Sequence, residues 1–287
     1  MIALASIIRN LPLFFFRRPR TPLRVLCIVA FDAVARMRSR WLSPRTKRAM
    51  IAAVDLGACL NDFFDEGTLC RDEYRQTRRL LAGTLSEHGR CLVRAYYRQL
   101  HRRETARPAL SDEPQGAKWR ASVVRYGENI VRLSLATLAA VAFGGPLPAA
   151  ERNAVRDKDL AVLFRIVMLA QILDDLMDWS EDLRMRLPTF MTLHRLGSAG
   201  RGHIRRVLRQ VRTLADSYTR GFELAADRLL LQRIALRAVR WMIDGAALWR
   251  TVFTPSIRQM AGHSEVLDVA QSAASVRAFR SNTRLRL

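Results

Sequence analysis

Residues 160–182 read LAVLFRIVMLAQILDDLMDWSED. The first half is apolar around almost its whole circumference, interrupted only by Arg165, and five of the chain's 26 acidic residues then fall between Asp174 and Asp182. A helix apolar on most faces belongs at the centre of a helical protein. No Lys or Arg lies between Arg165 and Arg184. At helical spacing Asp174, Asp178 and Asp182 occupy i, i+4 and i+8, one vertical stripe flanked by Asp175 and Glu181. Like charges so arranged repel one another. Water relieves the repulsion on an ordinary solvated face. A bound cation relieves it in a cavity, and magnesium is the hard, oxygen-seeking choice.

Outward from this stretch the pattern stays helical. Ser43 and Pro44 form an N-cap and first-turn pair, opening a helix with Ile51, Val54, Ala58 and Leu60 at apolar spacing. Asp72 to about Arg103 reads as one long helix, with Tyr74, Leu80, Leu81, Leu85, Leu92 and Tyr96 as its apolar side. Pro108 and Pro114 mark residues 103–116 as a loop. The next helix runs from about Ala117 to Phe143, where Gly144, Gly145 and Pro146 end it. The central helix extends from about Ala150 to about Asp182, and Pro188 closes that region. Three further helical stretches are expected at roughly 200–230, 232–253 and 256–280, the last two divided at Pro255. No segment alternates with a strand period over a useful length. The expectation is an all-α fold, a single large helical bundle around a central cavity. Residues 1–42 form a basic and apolar N-terminal segment, 43–280 the helical domain, and 281–287 a basic tail.

A chain of 287 residues is long enough for one such domain with a sizeable core. With 49% hydrophobic residues and only 14 Gly and 10 Pro, wholesale disorder and collagen-like architecture are excluded. The net charge of +22 comes almost entirely from arginine, since Lys occurs only at Lys47, Lys118 and Lys158. Arginine spread from end to end is most simply a solvated surface, while also suiting an anionic ligand or membrane surface. It gives no reason to expect specific nucleic-acid binding. Cys27, Cys59, Cys70 and Cys91 lack CxxC spacing and zinc-like His intervals, so they read as free cytosolic thiols. The N-terminal apolar pieces are about eight residues long and are cut by Arg9 and by Arg17, Arg18 and Arg20. They are too short to cross a bilayer and lack the basic start of a secretory signal. They are expected either to lie on a membrane surface or to fold back as the first helix, in a cytoplasmic protein compatible with a homodimer.

A second acidic stretch repeats the design of the first. Asp55 leads to Asn61, Asp62, Phe63, Phe64, Asp65 and Glu66, and residues 49–70 contain no Lys or Arg. Basic residues outnumber acidic ones nearly two to one in this chain. Two basic-free acidic windows, each after apolar helix, are therefore expected as facing walls of one cation-filled cavity.

At these residues the chain resembles the class I isoprenoid synthases, the superfamily of trans-prenyl diphosphate synthases, squalene and phytoene synthases, and class I terpene cyclases. Gln171 to Asp178 looks like the second aspartate-rich motif of the prenyl diphosphate synthases, in which glutamine precedes DDxxD. Asp178 to Asp182, with Leu187 and Pro188 following, equally resembles the DxxED motif of the squalene and phytoene branch. The family's first motif is usually DDxxD or DxxxD, and here Asn61 stands at its leading position. The resemblance implies Mg2+ held by Asp62, Asp65, Glu66, Asp174, Asp175, Asp178 and Asp182, with an allylic prenyl diphosphate as substrate. It also implies arginine contacts to the diphosphate. Arg125 and Arg132, seven apart on one helix with Tyr126 and Asn129 beside them, are the first candidates, and Arg78 and Arg79 the second. Phe63, Phe64, Phe143, Trp179, Trp241, Trp249 and Phe253 either line a prenyl pocket or pack the core. The five histidines match no ligand pattern.

Three reactions share the resemblance: cyclisation or ionisation of one prenyl diphosphate, elongation with isopentenyl diphosphate, and coupling of two prenyl diphosphates. Elongation needs a second diphosphate site, for which Lys47, Arg48, Arg78 and Arg79 lack the family's Gly context. Coupling expects Arg where Met177 stands. The favoured expectation is a terpene synthase. The alternative from another class is a basic helical protein that docks on anionic lipid or nucleic acid without catalysis, supported by Phe14, Phe15 and Phe16 beside Arg17 and Arg18.

Overall fold

The computed structural model describes residues 21–67, 69–108, 116–145, 157–192, 201–219, 237–238 and 240–247. Every element among them is helical: α1 (Thr21–Met37), α2 (Pro44–Glu66), α3 (Arg71–Thr84), α4 (Glu87–Thr105), α5 (Ala117–Phe143), α6 (Lys158–Met177), α7 (Trp179–Arg184) and α8 (Arg201–Thr219). Residues 237–238 and 240–247 are helical as well. The described residues divide into two compact units, one from Met1–Arg102 and Arg132–Ala161, the other from Arg103–Val131 and Val162–Val269.

In the first unit α1 and α3 both pack on α2. Helix α1 buries Val25, Ile28, Phe31, Val34 and Ala35, the recurrence of one apolar helix face. Two ion pairs fasten it to α2, Arg24 to Asp55 at 2.6 Å and Lys47 to Asp32 at 3.0 Å, and a third, Arg36 to Asp32 at 3.3 Å, lies within α1 itself. Residues 21–37 are thus a packed first helix, while residues 1–20, including Leu11–Phe16, lie outside the described residues. Helix α2 starts as its sequence predicts, with Ser43 Oγ accepting from Thr46 N at 3.0 Å. It ends at Gly67, whose φ of 70° is the left-handed cap that suits glycine. Its buried stripe is Met50, Ala53, Leu56, Leu60 and Phe63. Ile51, Val54 and Ala58, expected on the apolar side, are only half-buried. Ala49 and Ala52 are buried beside that stripe.

The single long helix expected from Asp72 to Arg103 is two helices. Leu85 is extended, Thr84 Oγ1 turns back to Leu80 O at 2.6 Å, and Ser86 Oγ accepts from Gly89 N at 3.2 Å as a new N-cap. Helix α5 matches its predicted limits, and Gly144 and Gly145 follow it at φ 83° and 113°.

In the second unit α6 buries Val162, Leu163, Ile166, Met168, Leu169, Ile172 and Leu176, on several faces as expected for a central helix. It starts at Lys158, later than predicted, because Asp157 Oδ1 caps it through the N–H groups of Asp159 and Leu160. Helix α8 buries Val207, Leu208, Val211, Ala215 and Tyr218. Tyr218 OH donates to Glu128 at 3.2 Å, and Arg165 donates to Tyr218 O at 3.1 Å. Residues 220–236, the whole of the expected helix at 256–280, and the tail 281–287 lie outside the described residues. All four cysteines are free, and burial raises the Cys27 thiol to about 12. Among the described residues no helix is long and apolar enough to cross a membrane.

Candidate functional site

The second acidic segment begins where the apolar core of α6 runs out. Asp174 and Asp178 lie exposed on consecutive turns, with Asp178 N donating to Asp174 O at 2.9 Å. Burial of part of the Asp174 carboxyl, together with the charge on Asp178, raises it above the usual carboxylate range. Neither residue forms an ion pair among the described residues, in keeping with the basic-free sequence around them.

Asp175 points the other way. It is buried, its Oδ1 accepting from Gln171 Nε2 at 3.0 Å and its Oδ2 from Phe190 N at 2.7 Å. Burial pushes its pKa up to about 7, against the two hydrogen bonds that favour the carboxylate, with Asp182 and Asp174 adding to the rise. The turn at residues 187–192 is tied further by Thr192 Oγ1, which donates to Leu187 O at 2.6 Å and accepts from Thr189 N at 2.7 Å. Phe190 in turn packs on α5, where a Cβ on Gly127 would lie 3.1 Å from its ring.

The expected stripe of Asp174, Asp178 and Asp182 is therefore corrected. The helix bends at Asp178, and the short α7 carries Asp182 into a buried position where its charge acts on Asp175. The four aspartates form an outer pair, Asp174 with Asp178, and an inner pair, Asp175 with Asp182. Trp179, immediately after the outer pair, is 2% exposed, and its indole N–H has no hydrogen-bond partner among the described residues. A buried donor of this kind costs about 1–3 kcal/mol while unsatisfied.

The first acidic segment lies at the end of α2 in the other unit. Asp62 and Asp65 are half-buried, and Asn61 Nδ2 donates to Asp65 Oδ2 at 2.7 Å. Asn61 thus answers the charge on Asp65 with a donor, where an aspartate would have repelled it. The Glu66 side chain lies outside the described residues. Phe63 and Phe64 meet edge to face at 5.4 Å between centroids. His101 stands 5.8 Å from Phe64 and 6.2 Å from Tyr97. Burial raises the Tyr97 and Tyr74 hydroxyls. The sequence named Phe63 and Phe64, but Tyr97 and His101 sit on a helix with no acidic motif to draw attention to them.

Among the arginines, Arg125 is exposed and Arg132 half-buried on α5, while Arg78 and Arg79 line a cleft between α3 and α4. Of the other aromatic candidates, Phe143 packs at 6.2 Å from Phe31 with the Arg38 guanidinium 5.0 Å from its centroid. Trp241 is 80% exposed, and Trp249 and Phe253 lie outside the described residues. Among the described residues no three His, Cys, Asp or Glu side chains are grouped closely enough to hold a metal ion by themselves. No family model, curated protein or solved structure matches this chain.

Proposed function

We propose that this chain is a class I isoprenoid synthase that, with magnesium, releases diphosphate from a single allylic prenyl diphosphate. The observation that carries the reading is the outer pair. Asp174 and Asp178 are exposed carboxylates on consecutive turns, short of positive charge, at the end of a buried apolar helix.

The pair fits the ion. Magnesium is usually held by one or two carboxylates together with substrate phosphates rather than by a complete protein cage, so two ligands without a third accord with a metal that arrives with its diphosphate. Bound there, it would neutralise charge on the departing diphosphate. The protein's own contribution is placement. Asp175 ties α6 to the 187–192 turn and so fixes the carboxylates one residue before it and three after it. Arg125, exposed on α5 of the same unit, is assigned to the diphosphate oxygens, for which a guanidinium is the matching donor. Asp62 and Asp65 are assigned the same metal chemistry on the strength of their motif.

The test is incubation of the full chain with C10, C15 and C20 prenyl diphosphates and magnesium, with and without isopentenyl diphosphate. The expected result is hydrocarbon or alcohol plus diphosphate from one allylic substrate alone. Product formed only with isopentenyl diphosphate would establish elongation instead. A head-to-head product would establish coupling, and no turnover of any substrate would overturn the reading.

A further inference from the structure

Three arginines of α3, Arg75, Arg78 and Arg79, stand at i, i+3 and i+4, which places them on one face of the helix. The first turn of α4 brings Arg90 to the same place, because the chain reverses at the extended Leu85 and the Ser86 cap. The four arginines line a cleft of about 280 Å³ together with the core residues Leu81 and Leu85. Among the described residues no acidic side chain lines it. Arg75 has a partial counter-charge in Asp72 at 3.8 Å, a fully solvated contact of small value. Arg78 lies over the Tyr74 ring at 5.7 Å. Arg75 and Arg79 are like charges one turn apart on the helix, and an anion in the cleft would offset their repulsion.

We infer that the cleft between α3 and α4 is a binding site for a phosphate-bearing anion, held by Arg75, Arg78, Arg79 and Arg90. Guanidinium forks match phosphate oxygens in pairs, and four of them around one cavity suit a multiply charged group better than a carboxylate. The site lies wholly within the first unit and does not depend on the role of Asp174 and Asp178. Its natural source is either a soluble phosphate compound or the headgroup of an anionic phospholipid, and the two are separable by experiment.

Binding of inorganic diphosphate to the full chain is measured by calorimetry without magnesium, so that the aspartates take no part. R79Q/R90Q removes two exposed members. R98Q/R209Q removes two exposed arginines elsewhere and leaves the same net charge. The expected result is at least about tenfold weaker diphosphate binding in R79Q/R90Q and a change under about twofold in R98Q/R209Q, since a hydrogen bond between charged groups is worth more than a tenfold step. Circular dichroism verifies that both variants are folded. Sedimentation with phosphatidylcholine vesicles, with and without phosphatidylglycerol, identifies the source. Loss of vesicle binding in R79Q/R90Q alone assigns the cleft to a lipid headgroup, and equal vesicle binding in both variants assigns it to a soluble anion. Absence of diphosphate binding by the unaltered chain, or equal weakening by both pairs of substitutions, overturns the proposal.

Discussion

The backbone N–H of Phe190 donates to Oδ2 of Asp175 across 2.7 Å, which fastens the turn after the second acidic segment to the helix that carries it. The bond joins residues 15 apart in sequence and is buried. It makes the inner aspartate a support for the outer pair.

The same bond governs a pH response. Burial pushes the Asp175 carboxyl from the ordinary aspartate value of 3.8 up to about 7, so the folded chain holds this proton more tightly than the unfolded one. Its contribution to stability is fully present below about pH 4 and is lost as the pH rises toward and through 7, on the order of a few kcal/mol. Magnesium-free urea titrations between pH 4 and 8 should show this decline. Asp175→Asn, which keeps an acceptor for Phe190 N, should flatten most of it. A slope in Asp175→Asn as steep as in the parent chain would assign the effect to other groups.

Asp174→Asn and Asp178→Asn should each lower diphosphate release by about a hundredfold or more, the scale of removing a single electrostatic contact to a reacting group. Both side chains are exposed, so the midpoint of thermal unfolding should change by no more than a few degrees. Steady-state assays with magnesium decide the matter, and full activity in both variants would exclude the proposed function.

Asn61→Asp replaces the donor facing Asp65 with a like charge. Without magnesium it should destabilise the chain by about 1 kcal/mol at neutral pH, combining the lost hydrogen bond with i,i+4 repulsion. The deficit should shrink below about pH 4, where carboxylates protonate. A deficit independent of pH would mean that packing, and not charge, is responsible.

Ser43→Ala removes the acceptor at the start of α2 and should cost about 1 kcal/mol in chemical denaturation, whereas Ser43→Asp should be close to neutral. Equal losses in both would show that the cap contributes through something other than its oxygen.

The sequence made some of this legible and hid the rest for physical reasons. Ala117–Phe143 was readable to both ends because two glycines and a proline stop it. Ser43 announced α2 through a cap that is local in sequence. The division between α3 and α4 was missed because Leu85 keeps the apolar spacing while leaving the helix, and only the Ser86 cap marks the break. The acidic character of residues 174–182 was evident, yet its separation into two pairs depends on Phe190 and on the bend at Asp178, which no periodicity encodes. The arginine cleft was half visible. Arg78 and Arg79 stood out as neighbours, but Arg90 joins them only through the reversal of the chain.

The pairing of Asp55 with Arg24, and of Asp32 with Lys47, crosses the boundary that the sequence suggested between a separable leader and the domain proper. Asp32 and Asp55 are both buried, and removing one partner of a buried ion pair leaves its charge stranded. A shortened chain beginning at Ser43 would strip the arginine from Asp55 and the aspartate from Lys47. It would also bare the apolar surface that α1 covers, so that any gain or loss of lipid binding would report a damaged fold. A version beginning just before Thr21 keeps both pairs and removes Leu11–Phe16 with Arg17 and Arg18, so it is the cut that tests whether those residues bind lipid.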